Sequence, residues 1–415
     1  MLLPRNTIRP KRTMASAISV LLTASAAVVA VPTTAAAAEL DVDYTGVATA
    51  AYRAPTTVSA KVTLGEDGHA GAKVTFRVGD ATCEATSTST GAASCTLAPV
   101  NKPGYYGISV RVESPAGRVG TFHTFQVKKA TTALAYNGTR HLANDEPAKL
   151  AATLKDGAGQ AVPERTVRLA LGAGGAEQAC NGATSSGGDA TCTVDKVNQD
   201  LNTEATVPLS AAFAGDDYYL PSNATSTAVL QYATGRAFGA SADVNLILFP
   251  VKIPPQPDTG VIRTARATTN RPQCSGQVKT IGVNIEALCA EVNTSLNPGT
   301  STAKTTVKSA KIGLPGLPVL DLSGVEAVST STCTKAEGHT GTTLKIAGKT
   351  IDVPNVPNTV IDLGVARLVI NEQLPAAGAD KGMTVNAVHL KDALGLIDVV
   401  IGSATTGAHN CAPAS

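Results

Sequence analysis

Two stretches of this chain share one plan, and that plan limits what it can fold into. The first is Cys83-Glu-Ala-Thr-Ser-Thr-Ser-Thr-Gly-Ala-Ala-Ser-Cys95, and the second is Cys180-Asn-Gly-Ala-Thr-Ser-Ser-Gly-Gly-Asp-Ala-Thr-Cys192. Both are Cys-x11-Cys, both follow a β-branched strand pattern, and both have small turn formers at their midpoint, Ser89 to Gly91 and Ser186 to Gly188. The pattern reads as a β-hairpin whose strands carry cysteines opposite each other, at a cross-strand separation that suits a disulfide. Closing so short a loop stabilises each copy by about 3 kcal/mol in the chain-entropy model.

The copies extend beyond the cysteines. Leu134-Ala-Tyr136-Asn-Gly138 echoes Val42-Asp-Tyr44-Thr-Gly46 at an offset of 92. Val167-Arg-Leu169 echoes Val74-Thr-Phe76 at 93, and the cysteines follow at 97. A slowly growing offset means small loop insertions in a matched unit. In the first unit, apolar residues alternate over Val58–Leu64, Val74–Val78, Tyr106–Val112 and Phe122–Val127. About seven short strands in about 90 residues predict an immunoglobulin-like sandwich.

Composition agrees with an all-β chain. The 415 residues include 38 Gly and 23 Pro, no Trp and only six Phe. The cores must therefore be aliphatic, and turns are abundant. No sustained helical period follows residue 40.

Residues 1–38 read as a secretory signal peptide, with Arg5, Arg9, Lys11 and Arg12 ahead of an apolar run from Ala15 to Val31 and Ala35 to Ala38 at the cleavage site. Met1 and Met14 are both possible starts. No later segment is apolar enough to cross a bilayer. Without those four bases the chain has 30 basic and 32 acidic side chains, so the formal charge of +2 becomes −2. Near neutrality, the lack of a basic run and the scarcity of aromatics exclude nucleic acid as a partner.

The expected organisation is a signal peptide (1–38), two immunoglobulin-like sandwiches (39–129 and 130–232), a β-rich C-terminal domain (236–411) and a short tail (412–415). In the C-terminal part, Phe249 to Pro257 reads as a stiff extended piece. Leu314-Pro-Gly-Leu-Pro318 and Val353-Pro-Asn-Val-Pro357 suit edges or connections, because proline cannot donate to a ladder. Strand patterns return at Val365–Ile370, Thr384–Leu390 and Ile397–Ile401.

The second unit closes with Gly215-Asp-Asp-Tyr-Tyr-Leu-Pro-Ser222. This resembles bacterial immunoglobulin-like repeats, in which a Gly-Asp-x-x-Tyr-x-x-Ser segment joins the last two strands. The match is at Gly215, Asp216, Tyr219 and Ser222; the first unit has Pro103-Gly-Tyr-Tyr106 instead. The ending Val399 to Cys411 and the Thr384–Leu390 strand resemble the choice-of-anchor P family, a module of secreted bacterial proteins. Its members differ in how they attach to the cell. Here no sortase-type motif with a hydrophobic tail and basic end is present, and Leu374-Pro-Ala-Ala-Gly378 lies inside the domain. The two resemblances imply a secreted, extracellular or wall-associated location.

Chemistry is sparse. Cys274, Cys289, Cys333 and Cys411 allow three connectivities, of which Cys274–Cys289 with Cys333–Cys411 is expected. No pair has the short spacing of a zinc site, and export favours oxidation. His69, His123, His141, His339, His389 and His409 each stand alone, and His389 reads as structural or solvent-facing. No Gly-x-Ser-x-Gly elbow occurs. Asp216 and Asp217 supply too few oxygens for calcium and read as a polar turn before a buried Tyr. The Asn137, Asn223 and Asn293 glycosylation patterns are read as chance.

The expectation is a monomeric, non-catalytic protein without cofactor or metal. Its repeats would act as spacers or adhesive modules, and its last domain would bind an unidentified protein or cell-envelope component. The competing reading is a hydrolase or glycan-binding C-terminal domain, although the absence of Trp weakens the sugar version. Peptide mapping of the mature chain without reductant is expected to join Cys83 to Cys95 and Cys180 to Cys192. A Cys83–Cys180 peptide would contradict the repeat reading.

Overall fold

The computed structural model describes residues 38–413, apart from 248, 270, 271, 297, 298 and 355. The signal peptide expected at 1–38 thus falls, but for its last residue, outside the described residues, as does the end of the tail. Among the described residues there are strands, turns and one 3-10 turn at Gly174–Ala176, with no α-helix. No helix among the described residues is long and apolar enough to cross a membrane.

The first two units are sandwiches with the same strand order. In the first, Thr56–Leu64 pairs with Leu40–Tyr44 and with Ala92–Leu97. The facing sheet runs Thr49–Ala51, Gly117–Lys128, Gly104–Ser114, Lys73–Val78, Ala81–Thr86. In the second, Ala148–Asp156 lies between Thr132–Tyr136 and Asp189–Val194. Its facing sheet runs His141–Leu142, Ser222–Leu230, Thr206–Phe213, Thr166–Leu171, Gln178–Ala183. The alternation seen in sequence is what each core uses. Val58, Val62, Val74, Phe76, Ile108, Val110 and Phe125 are buried in the first, and Leu150, Leu154, Val167, Leu169, Leu209 and Leu230 in the second.

The Tyr-x-Gly echo is a structural motif. Tyr44 Oη donates to the Val47 carbonyl at 2.6 Å, and Tyr136 Oη to the Thr139 carbonyl at 3.1 Å. The chain passes so close that a Cβ on Gly46 would lie 2.7 Å from Ser59 N, and one on Gly138 would lie 2.5 Å from Ala151 N. Only glycine fits at either place.

The hairpin reading of the cysteine loops needs correction. Ala81–Thr86 pairs with Lys73–Val78, whereas Ala92–Leu97 pairs with Thr56–Leu64 in the other sheet. Gln178–Ala183 and Asp189–Val194 are divided in the same way. The turn is therefore an arch that carries the chain from one sheet to the other. The disulfides Cys83–Cys95 and Cys180–Cys192 span the two sheets, each with Cα atoms 6.0 Å apart. Cys274–Cys289 is the bridge that lies within a hairpin, between Gln273–Thr280 and Val283–Leu296, with its cysteines directly in register.

The C-terminal domain is a larger sandwich of two seven-stranded sheets. One is a meander, Val283–Leu296, Gly299–Ile312, Leu320–Thr332, Ala336–Ile346 and Lys349–Ile351, with Gln273–Thr280 and Thr268–Thr269 beside its first strand. The other runs Phe249–Asp258, Tyr232–Leu246, Ile397–His409, Lys381–Lys391, Arg367–Pro375, Thr359–Asp362, with Ile262–Thr264 also beside Tyr232–Leu246. The stiff proline piece is thus a β-strand, and it lies at the sheet edge, where proline is tolerated. Cys333–Cys411 ties a turn of the first sheet to the end of the second.

No flexible spacer separates the three sandwiches. Tyr52 of the first packs against Tyr218 and Tyr219 of the second, with ring centroids 4.9 and 5.6 Å apart. Lys102 Nζ reaches Asp217 at 2.6 Å, and one apolar cluster runs through both sandwiches. At the opposite end of the second sandwich, Asn144 Nδ2 donates to the carbonyls of Gln199 and Ala265. Arg263 donates to the Asn202 and Thr203 carbonyls, and Asn410 Nδ2 to that of Leu230.

Phe76 is fully buried. Phe76→Ala is expected to cost about 3–5 kcal/mol in denaturant unfolding of the first sandwich. Val100→Ala, at a half-exposed position, is expected to change stability by less than about 0.5 kcal/mol. Equal effects would contradict the core assignment.

Candidate functional site

The densest group of ionisable side chains away from the domain junctions lies on three adjacent strands of the C-terminal sandwich: Arg367–Pro375, Lys381–Lys391 and Ile397–His409. An irregularity in the ladder creates it. Asn371 has φ 54° and Gly402 φ 75°, and Ala387 lies between them in register. Core-facing positions change parity there, from Leu390 and Val388 on one side to Ala387 and Val385 on the other. Positive φ at these two positions interrupts the regular pleat and re-aims the side chains beside them. Glu372, in register with Asn386, thereby reaches His389 and Lys391 further along the strand.

Glu372 is 4 % exposed and takes three donors. Asn386 Nδ2 donates to Oε2 at 2.8 Å, His389 Nδ1 to Oε2 at 2.6 Å and Lys391 Nζ to Oε1 at 2.6 Å. His389 Nε2 meets Asp398 Oδ1 at 3.0 Å. With a carboxylate on each side, both ring nitrogens face acceptors. The chain Asp398–His389–Glu372–Lys391 runs from an exposed carboxylate through the buried one to a half-exposed ammonium.

Burial alone would push the Glu372 carboxyl up. The bonds from His389, Lys391 and Asn386 outweigh it and hold the group at about 2. An acid that weakly basic, with both oxygens engaged, is poorly matched to proton abstraction near neutral pH. The arrangement suits an ionic anchor that fixes three strands where their ladder is irregular.

The other singled-out residues are dispersed. His409 stacks on Tyr232 at 4.4 Å with Arg263 over the other face. It also meets the Gly378 carbonyl and the Thr234 hydroxyl, and burial pushes its pKa down. It is part of the second junction, beside a cavity of about 20 Å³ lined by Asn144, Tyr232, Ala265 and Thr294. His123 packs against Tyr44, and His339 is 3.9 Å from Glu326. Asp216 accepts the Tyr218 and Tyr219 N–H groups at 2.7 Å and pairs with Arg165, so it organises the turn before buried Tyr219. The eight cysteines form four disulfides. Glu372, Asn386, Lys391 and Asp398 escaped the sequence reading. The available signal was a carboxylate two residues after the apolar run Leu368-Val-Ile370.

No family model matches this chain, so the choice-of-anchor P resemblance has no match behind it, and no curated protein matches either. Solved structures are similar in outline. A tetra-tandem repeat from the extending region of a large adhesion protein is 9% identical, over 88% of this chain and 99% of that one, with a TM-score of 0.27. Invasin, a bacterial integrin-binding protein, is 13% identical, over 88% of this chain and 78% of its own, with a TM-score of 0.32. Three consecutive titin domains are 11% identical, over 76% and 95% of the two chains, with a TM-score of 0.28. At these scores the likeness says nothing of partner or activity. The immunoglobulin-like assignment rests on the sheets themselves.

Glu372 contributes stability that is complete above the ordinary Glu value of 4.5 and is lost as pH falls toward about 2. The contribution is on the order of 3 kcal/mol. Glu372→Gln is expected to be less stable than wild type at neutral pH and to lose less on acidification. Parallel stability–pH curves for the two proteins would show that the carboxylate is not the anchor.

Proposed function

We propose that this chain is a secreted, non-catalytic spacer. Its two disulfide-stapled immunoglobulin-like sandwiches hold the C-terminal sandwich away from whatever retains the N-terminal end. The observation that carries this reading is the pair of packed junctions, at opposite ends of the second sandwich. Tyr52 is buried against Tyr218 and Tyr219 at one, and Asn144, Arg263 and Asn410 bridge the other. A shared apolar cluster at the first junction and hydrogen bonds at the second oppose the rotation expected of separate domains, and in this reading the three sandwiches move together. Inter-sheet disulfides suit an oxidising compartment. The C-terminal sandwich is the module that meets an envelope or extracellular partner, and the saturated Glu372 cluster supports a structural role for its charges.

Two measurements test this. Fractionation of producing cells, probed with an antibody to residues 236–411, is expected to find the protein in the medium, the wall or the membrane fraction; retention in the cytoplasm would overturn the reading. Small-angle scattering of the mature chain is expected to fit one extended arrangement, which Tyr52→Ala should loosen. A compact or freely hinged wild type would count against a spacer.

A further inference from the structure

Turn tips in water are normally built from Gly, Asn, Asp, Ser and Pro. At one end of the C-terminal sandwich they carry bare aliphatic side chains. Ile247 is 99 % exposed, Leu394 81 %, Ile281 77 % and Val365 67 %, with Val319 and Leu396 also exposed. Strand registers put all six at the same end. Leu246 pairs with Phe249, Thr280 with Val283, Ile312 with Leu320, Asp362 with Arg367 and Val244 with Ile397. The residues that meet the second sandwich, Tyr232, Arg263 and Asn410, lie at the other end of these strands.

The turns form one platform across both sheets. Asn245 N donates to the Leu396 carbonyl at 2.8 Å, Gly313 N to that of Gly282 at 2.7 Å and Ala347 N to that of Val319 at 2.9 Å. The Phe249 ring lies so close to Gly282 that a Cβ there would come within 2.8 Å of it. The aliphatic tips are therefore held in place rather than free to fold back.

Behind them stands a basic collar. Lys279, Lys345, Lys349 and Arg367 are exposed and make no ion pair among the described residues. Carboxylates also stand at this end and keep their charge, but among the described residues none of them pairs with a collar residue. Asp392 accepts the N–H groups of Leu394, Leu396 and Ile397, Asp362 caps Gly364, and Asp321 and Asp243 pair with Lys311 and Lys252.

We infer that this end of the C-terminal sandwich docks on an anionic lipid surface, with Ile247, Ile281, Val365 and Leu394 entering the acyl boundary and the collar meeting headgroup phosphates. Separate convex apolar tips suit a fluid medium that closes around each of them. A protein partner would need a matched pocket for every tip, and protein interfaces favour the aromatic anchors that are missing here. Apolar burial together with lysine attraction to anionic lipid is the usual basis of interfacial binding. The inference rests on the spacer reading, for which it names the partner surface.

Cosedimentation of the full mature chain with phosphatidylglycerol–phosphatidylethanolamine vesicles tests it. Binding is expected, with weaker binding to phosphatidylcholine alone. Ile281→Ser with Leu394→Ser, both at exposed positions, should weaken binding by roughly tenfold or more for each inserted side chain. Lys279→Glu with Lys345→Glu should abolish the preference for anionic vesicles and the salt sensitivity. Wild type that stays in the supernatant overturns the inference, as does a serine variant that binds undiminished. Self-association that the same serine substitutions abolish, without vesicle binding, would assign the platform to a second copy and also overturn it. A negative vesicle result with protein still found in the wall would sink the lipid inference and leave the spacer reading standing.

Discussion

Every layer here is a sheet, and a sheet with an apolar face must be covered. With no helix among the described residues to do it, sheets cover one another, and that requirement sets the rest of the architecture. Six sheets give three face-to-face pairs. The side chains between them are small. Alanines such as Ala60, Ala152, Ala240 and Ala303 stand among the valines, leucines and isoleucines of all three cores. Aliphatic cores of this kind stay solid only if the sheets stay in register, and each of the first two sandwiches has a covalent link between its sheets. The Cys83–Cys95 and Cys180–Cys192 bridges stand where the chain changes sheets, the point at which an aliphatic sandwich could most easily open.

The same requirement explains the junctions. A sandwich end exposes the edge of its core, and Tyr52, Tyr218 and Tyr219 close two such ends against each other. Four tyrosines, Tyr52, Tyr218, Tyr219 and Tyr232, sit at contacts between units. Tyr232, stacked between His409 and Arg263, is the counterpart at the second junction. Rigidity along the chain thus comes from a few rings.

Much of this was legible in the residues. Alternation in Val58–Leu64 and Val74–Val78 marked the buried faces correctly, because a half-buried strand has to alternate. The Tyr-x-Gly echo marked the repeat, while the tight crossing that only glycine permits shows in the structure. The cysteine loops were misread for a physical reason: a hairpin and an arch have the same local pattern, and only the partners of each strand distinguish them. Phe249 to Pro257 reads as a stiff extended piece, and it takes its place as an edge strand, which needs only one ladder. The Glu372 cluster was hidden because two residues with positive φ, Asn371 and Gly402, shift the in–out alternation. Pattern reading assumes that alternation is unbroken, and the group that joins Glu372, His389 and Asp398 exists where it breaks.

The C-terminal sandwich is also graded along its length. Near the second junction the space between its sheets is polar. Ser301, Thr305, Ser329, Ser331 and Thr406 are buried there, and Ser329 and Ser331 both bond Thr406. Toward the free end it is aliphatic, with Ile312, Leu314, Leu320, Leu344, Leu390 and Ile397. Buried hydroxyls demand partners at fixed positions and so fix the sandwich where it must carry load from its neighbour. Aliphatic packing makes no such demand, and at the far end it continues outward into Ile247, Ile281, Val365 and Leu394. One end of the module is thus specified by hydrogen bonds and a disulfide, and the other presents apolar surface to its surroundings. That polarity along a single domain is what would be expected of a part held rigidly on one side and applied to an apolar medium on the other.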